Sequence, residues 1–228
     1  MSEAPILYVG LSPGLPVRPE AGVYLLAVMT PIPPRPLPTR VVLFIDGQNL
    51  YNRCKDRFSW PWIDPLLLGK ALVDDDIATH GPGSHCLAGV RYYTGIHDAN
   101  RRPKEHGLMY RRLQAYDSRG VQTFPIPLRY DFTGKAREKG VDVRIAIDLT
   151  RLGQKGSLRH RQIVVSEDSD LNPAISDVYG LRDGERWIAV ENALPYQQGA
   201  HPRWLTEAPR KRRIDAAMFA RVKDPNHY

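Results

Sequence analysis

Asp46, Asp142, Asp168 and Asp170 are the residues whose type and position in this chain point to chemistry. Asp46 directly follows the apolar run Val41–Ile45, Asp168 and Asp170 follow a second run at Gln162–Ser166, and Asp142 begins an amphipathic stretch. In an open parallel sheet the ligand site lies outside the carboxyl ends of the strands, so acids placed there share one neighbourhood. Carboxylates a few ångströms apart repel and raise each other's pKa unless a cation neutralises them. Oxygen donors without a thiolate or a paired histidine favour Mg²⁺ or Mn²⁺ over zinc. Such an ion can bridge to a phosphate and activate water. Each acid also has a purely structural reading. Asp46 suits the N-cap of a helix starting near Gln48, and Asp168 with Asp170 suits a cap and first turn. Asp142 suits the positive end of a helix. The residues alone leave both readings open.

The elements that must position these acids follow from hydrophobic period. Val41-Val42-Leu43-Phe44-Ile45 is continuously apolar, as a strand buried on both faces is. Asp46-Gly47-Gln48-Asn49 then opens a helix expected to run through Arg57. A second helix is predicted over Ile63–Ile77 with Leu67, Ala71 and Val73 inward, and a strand over His85–Thr94. Asn100–Ser118 is predicted helical with Leu108, Leu113 and Tyr116 in the core. Val121–Leu128 is a strand that Pro125 and Pro127 consign to an edge. Val141, Ile145, Leu149 and Leu152 form one helical stripe. Gln162–Ser166 is a short buried strand, Leu171–Tyr179 a helix, and Arg186–Val190 is expected to close the set as a strand. Strands alternating with helices imply an α/β class, a three-layer α/β/α arrangement around a mainly parallel sheet.

Three segments are expected. Residues 1–40 hold nine prolines and no helical or strand period, which reads as a disordered leader, with Met29 an alternative start. Residues 41–192 carry the single core, and residues 193–228 a basic tail ending in a short helix over Asp215–Val222. The longest apolar stretch near the start, Gly22–Met29, is too short to cross a bilayer, and Glu3 with the early prolines does not resemble a secretory signal. Two cysteines without a C-x-x-C pair are expected to be free thiols in a cytoplasmic protein. The net charge of +7 attracts polyanions, nucleic acids among them. Self-association is left open.

VVLFIDGQNLYN (Val41–Asn52), EKGVDVRIAIDLTRL (Glu138–Leu152) and IVVSEDSDLNPAI (Ile163–Ile175) together resemble the NYN domain family, LabA-like proteins within the PIN-like nuclease group. The likeness spans roughly 41–192. It implies a PIN-like fold and a divalent-metal ribonuclease, a hydrolase acting on RNA, with Asp46, Asp142, Asp168 and Asp170 as metal ligands. Asn49 matches the family asparagine after the first strand and would orient a ligand or the phosphate; holding the turn is its structural alternative. Lys139 would meet a substrate phosphate, and Ser166 and Ser169 would hydrogen-bond Asp46 or the site's water, or act as caps. Asp148, six residues after Asp142 and off its helical face, is expected to be an ion-pair partner. The chain departs from the family at Glu167, where glycine is usual. Either Glu167 strains a turn by about 1 kcal/mol if φ is positive, or it adds a fifth carboxylate.

Two basic stretches are candidates for guiding single-stranded RNA: Arg91, Arg101, Arg102, Lys104, Arg111 and Arg112, and, in the tail, Arg203 and Arg210–Arg213. A solvated basic face is the alternative for each. The rival function is an RNA-binding module that keeps the fold without catalysis. A haloacid-dehalogenase-like phosphotransferase is disfavoured because Gln48 stands where a second Asp is needed, and no G-x-x-x-x-G-K-[ST] loop exists.

Overall fold

The run Val41–Ile45 becomes the middle of β1 (Thr39–Asp46), and its alternate residues enter two different cores. Val41, Leu43 and Ile45 face one side; Val42 and Phe44 face the other. That is why the strand carries no polar position between Arg40 and Asp46. The computed structural model describes residues 37–155, 159–181 and 187–226. The predicted leader lies mostly outside these residues.

β1 leads into α1 (Gly47–Phe58), α2 (Pro65–His80), β2 (His85–Ile96), α3 (Pro103–Asp117) and β3 (Gln122–Pro127). A two-stranded antiparallel hairpin, β4 (Arg129–Tyr130) with β5 (Ala136–Arg137), precedes α4 (Val141–Lys155). β6 (Arg159–Val165), a 3-10 turn (Ser169–Leu171), α5 (Asn172–Gly180) and β7 (Trp187–Pro195) follow, then β8 (Arg210–Ile214) and α6 (Ala216–Val222). The main sheet has six strands in the order β3-β2-β1-β6-β7-β8, every pair parallel. One face is covered by α1, α2, α3 and α6, through Leu50, Leu72, Tyr116 and Phe219 among others. The other is covered by α4 and α5, through Ile145, Leu149 and Ile175. This is the three-layer, PIN-like α/β/α arrangement.

Strand order runs outward from β1 through β2 to β3, then restarts on the other side of β1 with β6. The carboxyl ends of β1 and β6 therefore flank the switch point, where a crevice opens in sheets of this type. Proline-bearing β3 is an edge strand, as expected.

Several expectations need correction. Leu67 is exposed, and Leu68 and Leu72 carry the α2 core instead. The phase is set by Asp64, which caps the helix by accepting from the amides of Leu66 and Leu67, with Pro65 at the first position. Leu108 is likewise exposed, whereas Leu113 and Tyr116 are buried. β7 runs past Val190 to Pro195, because the polar Glu191 and Asn192 are buried within it. Nor does β7 close the sheet. β8 does, an edge strand of sequence RKRRI whose cations concealed it.

Candidate functional site

Asp46 ends β1 and caps α1, its Oδ1 accepting from the Asn49 amide at 2.9 Å. Across the switch point, β6 ends in Val165, and the chain continues as Ser166, Glu167 and Asp168. The Ser166 hydroxyl donates to Asp46 Oδ2 (3.2 Å) and accepts from the Asp168 amide (3.1 Å). One fully buried serine thus ties the first acid to the loop that carries the third. Asp168 then caps the 3-10 turn, accepting from the Asp170 amide at 3.0 Å. The capping reading of Asp46 and Asp168 is correct, and it does not exclude a second role for their remaining oxygens.

A third wall comes from the segment between β5 and α4. Gly140 has φ of 91°, a left-handed conformation suited to glycine, which turns the chain from Glu138-Lys139 into α4. Asp142 lies in the first turn of that helix. Asp46, Glu138, Lys139, Gly140, Val141, Asp142 and Asp168 together line a cavity of about 250 Å³.

Glu138 is the residue that sequence reasoning missed as a site member. Its Oε2 accepts from the Gly95 amide at 2.5 Å. A Cβ on Gly95 would lie 2.7 Å from that oxygen and 2.4 Å from Leu128, so this approach requires glycine. Glu138 sits in an irregular loop, where no period marks it; its one sequence signal is membership of the EKGVD segment. Asn192 was also missed. Fully buried on β7, it donates from Nδ2 to the carbonyls of Val164 and Ser166, both at 3.0 Å, and so fixes the end of β6. An asparagine embedded in Ile188–Leu194 was the available signal.

The electrostatics are unbalanced. Burial pushes Asp46 up to about 6, with the charge of Asp168 adding to the rise against hydrogen bonds from Asn49 and Ser166. Burial pushes Glu138 up to about 7, the charges of Asp46 and Asp142 acting in the same direction. Among the described residues no arginine, lysine or histidine forms an ion pair with Asp46, Glu138, Asp142 or Asp168. Lys139 is exposed at the rim. The donor set is all oxygen and lacks a resident cation, which fits a hard divalent ion. Among the described residues, however, no three acidic, histidine or cysteine side chains converge closely enough as placed to form a ready coordination shell.

Other candidates are placed elsewhere. Asp170 and Ser169 are exposed and do not line the cavity. Arg91 pairs with Asp148 at 3.9 Å and lies over the Phe44 ring, and Asp148 also accepts from Tyr93 and Arg144. Asp148 is the ion-pair partner anticipated. Arg101 lies over Tyr130, and Arg102 pairs with Glu105; both are exposed. In the C-terminal cluster, Arg212 is buried against Asp76 and Glu191, and Lys211 donates to the carbonyls of Leu205 and Ala208.

Asn49 does more than hold its own turn, since its Oδ1 accepts from the Glu167 amide at 3.2 Å. Glu167 neither strains the chain nor joins the acids. Among the described residues only Ser59 is a non-glycine with positive φ. The Glu167 carboxylate pairs with Arg53 at 3.2 Å, and the residue is absent from the cavity lining.

Among solved structures, the chain is similar to a protein of unknown function, VPA0982, from Vibrio parahaemolyticus RIMD 2210633. Identity is 16%, with 80% of this chain and 96% of that one covered at a TM-score of 0.51, which speaks to fold alone. No curated protein matches the sequence. No helix among the described residues is long and apolar enough to cross a membrane. The sequence profile of the NYN domain matches residues 40–186, a span that contains the whole acid cavity and well over half of the chain, and the protein belongs to the NYN domain family.

Proposed function

We propose that the protein is a metal-dependent ribonuclease, hydrolysing RNA phosphodiester bonds at the cavity between β1, β6 and α4. The observation that carries this reading is the set of carboxylates at the switch point with no cationic partner among the described residues, two of which burial and mutual repulsion push towards neutral pKa values. Asp46, Asp142 and Asp168, with Glu138, would hold Mg²⁺ or Mn²⁺, while Asp170 stands outside the cavity and would act through the Asp168 loop. When bound, the ion would activate water and stabilise charge on the phosphate and leaving oxygens.

The chain's own groups prepare the site. Ser166 and Asn49 fix the Asp46 carboxylate and the Glu167–Asp168 loop relative to one another, so little rearrangement is left for the moment of reaction. Gly95 holds one oxygen of Glu138 and leaves the other free of protein hydrogen bonds among the described residues. Lys139, at the rim, would attract the incoming phosphate, and Arg101 and Arg102, exposed just before α3, would be further contacts for the strand. The polymer, RNA, is assigned from family membership together with the basic net charge of +7.

Cleavage of labelled single-stranded RNA in Mn²⁺, Mg²⁺ or EDTA, comparing the wild type with Asp168→Asn, tests this reading. Metal-dependent cleavage that the variant loses is expected. RNA that is bound and left intact with every metal would instead make the protein a binding module on the same fold. The main support for that second reading, a disruptive Glu167, is removed by its ordinary backbone and its pairing with Arg53.

A further inference from the structure

Glu138 is shared between the acid cavity and a larger cleft of about 770 Å³ on the other side of it. This cleft is within the size range of small-molecule sites, roughly 300–1,000 Å³. Its walls differ in kind from those of the acid cavity. Tyr51 and Trp62 meet edge to face with ring centroids 4.6 Å apart, and the Arg112 guanidinium lies over the Trp62 ring at 3.1 Å from its centroid, holding the indole in place. Leu108 adds a large apolar side chain that is 40% exposed although it plays no part in the core. Gln48 and Asn52, one helical turn apart on α1, are exposed and carry amides with both donor and acceptor capacity.

Aromatic and aliphatic walls with a few neutral amides, joined by His97, Glu105 and Glu138, suit a flat ligand with polar edges. Among the described residues no lysine lines the cleft, the arginine that does, Arg112, is engaged with Trp62, and Glu105 and Glu138 are acidic, so the cleft is poorly suited to hold a phosphate by itself. The phosphate has a better place next door, where Lys139 stands at the rim of the acids. We propose that the cleft seats one unstacked nucleobase of the RNA strand whose adjoining phosphate lies at the acid cavity. The inference rests on the ribonuclease reading. It makes single-strandedness a requirement, because a base inside a duplex is already stacked and paired and cannot enter.

The test is the affinity of the full chain for a labelled single-stranded octamer in EDTA, read by fluorescence anisotropy without cleavage. The intact strand is compared with strands carrying one abasic position, moved along the octamer. Loss of the seated base should weaken binding about five- to a hundred-fold, the range expected for one stacked base. Tyr51→Ala should weaken the intact strand similarly and abolish the sensitivity to abasic positions, while Tyr51→Phe should behave as wild type. Leu108→Glu, at an exposed position that the core does not use, should reproduce the Tyr51→Ala result without loss of fold. Abasic strands that bind as tightly as intact ones overturn the proposal, and so does a mononucleotide (AMP or UMP) that binds as tightly as the octamer. Base-dependent binding without cleavage in any metal would remove the nuclease and keep the cleft. Cleavage without base dependence would do the reverse.

Discussion

Asp76 and Glu191 are 0% and 2% exposed, as buried as Asp46 at 7%, yet they meet an opposite environment. Arg161 reaches Asp76 at 2.7 Å and Glu191 at 2.8 Å, Arg212 reaches Asp76 at 3.0 Å, and Arg210 reaches Glu191 at 3.1 Å. Burial alone would raise the Asp76 pKa, but the charges of Arg212 and Arg161 bring it below its ordinary value. At Asp46 burial prevails, and its pKa goes up to about 6. The two groups share one sheet. Arg161 sits opposite Val41, five residues before Asp46 along β1. A protein that surrounds buried acids with arginine in one place and, among the described residues, supplies none in the other has a cluster that folding alone does not explain. Carboxylates left without a partner are the ones available to an external cation.

The comparison is broken most sharply at its structural half. Asp76→Ala leaves Arg161 and Arg212 short of a buried partner and should cost about 3–5 kcal/mol, measured by urea denaturation. A loss below about 1 kcal/mol would show the network to be dispensable. At the other half, Asp168→Asn should lower metal-dependent RNA cleavage by at least about 100-fold. It should leave the urea midpoint unchanged or raised, because it removes a charge that Asp46 opposes.

Metal and pH sharpen the contrast further. Asp46 and Glu138 hold their protons more tightly folded than unfolded, so without metal these two groups favour the folded state as pH falls from about 7 towards 4 and disfavour it as pH rises through that window. Mn²⁺ at about 100 times its dissociation constant should add about 2.7 kcal/mol at pH 8 and much less at pH 5. The combined Asp46→Asn, Glu138→Gln variant should show neither effect in the same denaturation series. The smallest change concerns Glu167, a buried carboxylate paired with a partly exposed Arg53 that can regain water, so Glu167→Gly should cost about 1–2 kcal/mol. Cleavage should be retained, and its loss would assign Glu167 to the site after all.

Much of this arrangement was legible from the chain itself. The β1 run, the α4 stripe and the acid following each central strand depend on local sequence period, and local period is what residues display directly. The misses have a common physical origin. Leu67 and Leu68 are both apolar, and only the Asp64 cap fixes which one turns inward. Glu138 enters the cavity through a hydrogen bond to Gly95, 43 residues away, and Asn192 reaches Val164 from 28 residues away. Contacts of that separation leave no pattern in a single sequence. The RKRRI strand reads as part of a basic, RNA-guiding tail because its charges are answered by acids at Asp76 and Glu191, which lie far from it in the chain.

That last strand bears on how much chain is needed to make the domain. The family profile stops at residue 186, before β7, β8 and α6. A protein ending at Asn192 would retain Asp76 and Glu191 but lose Arg210 and Arg212. It would also uncover the sheet face on which Met218, Phe219 and Val222 pack. Such a fragment is expected to be insoluble or molten, while one that keeps the buried Asp224, bonded to Trp60, Trp62 and Tyr116, should unfold cooperatively, which would place the end of the folding unit some 38 residues beyond the recognisable family signature.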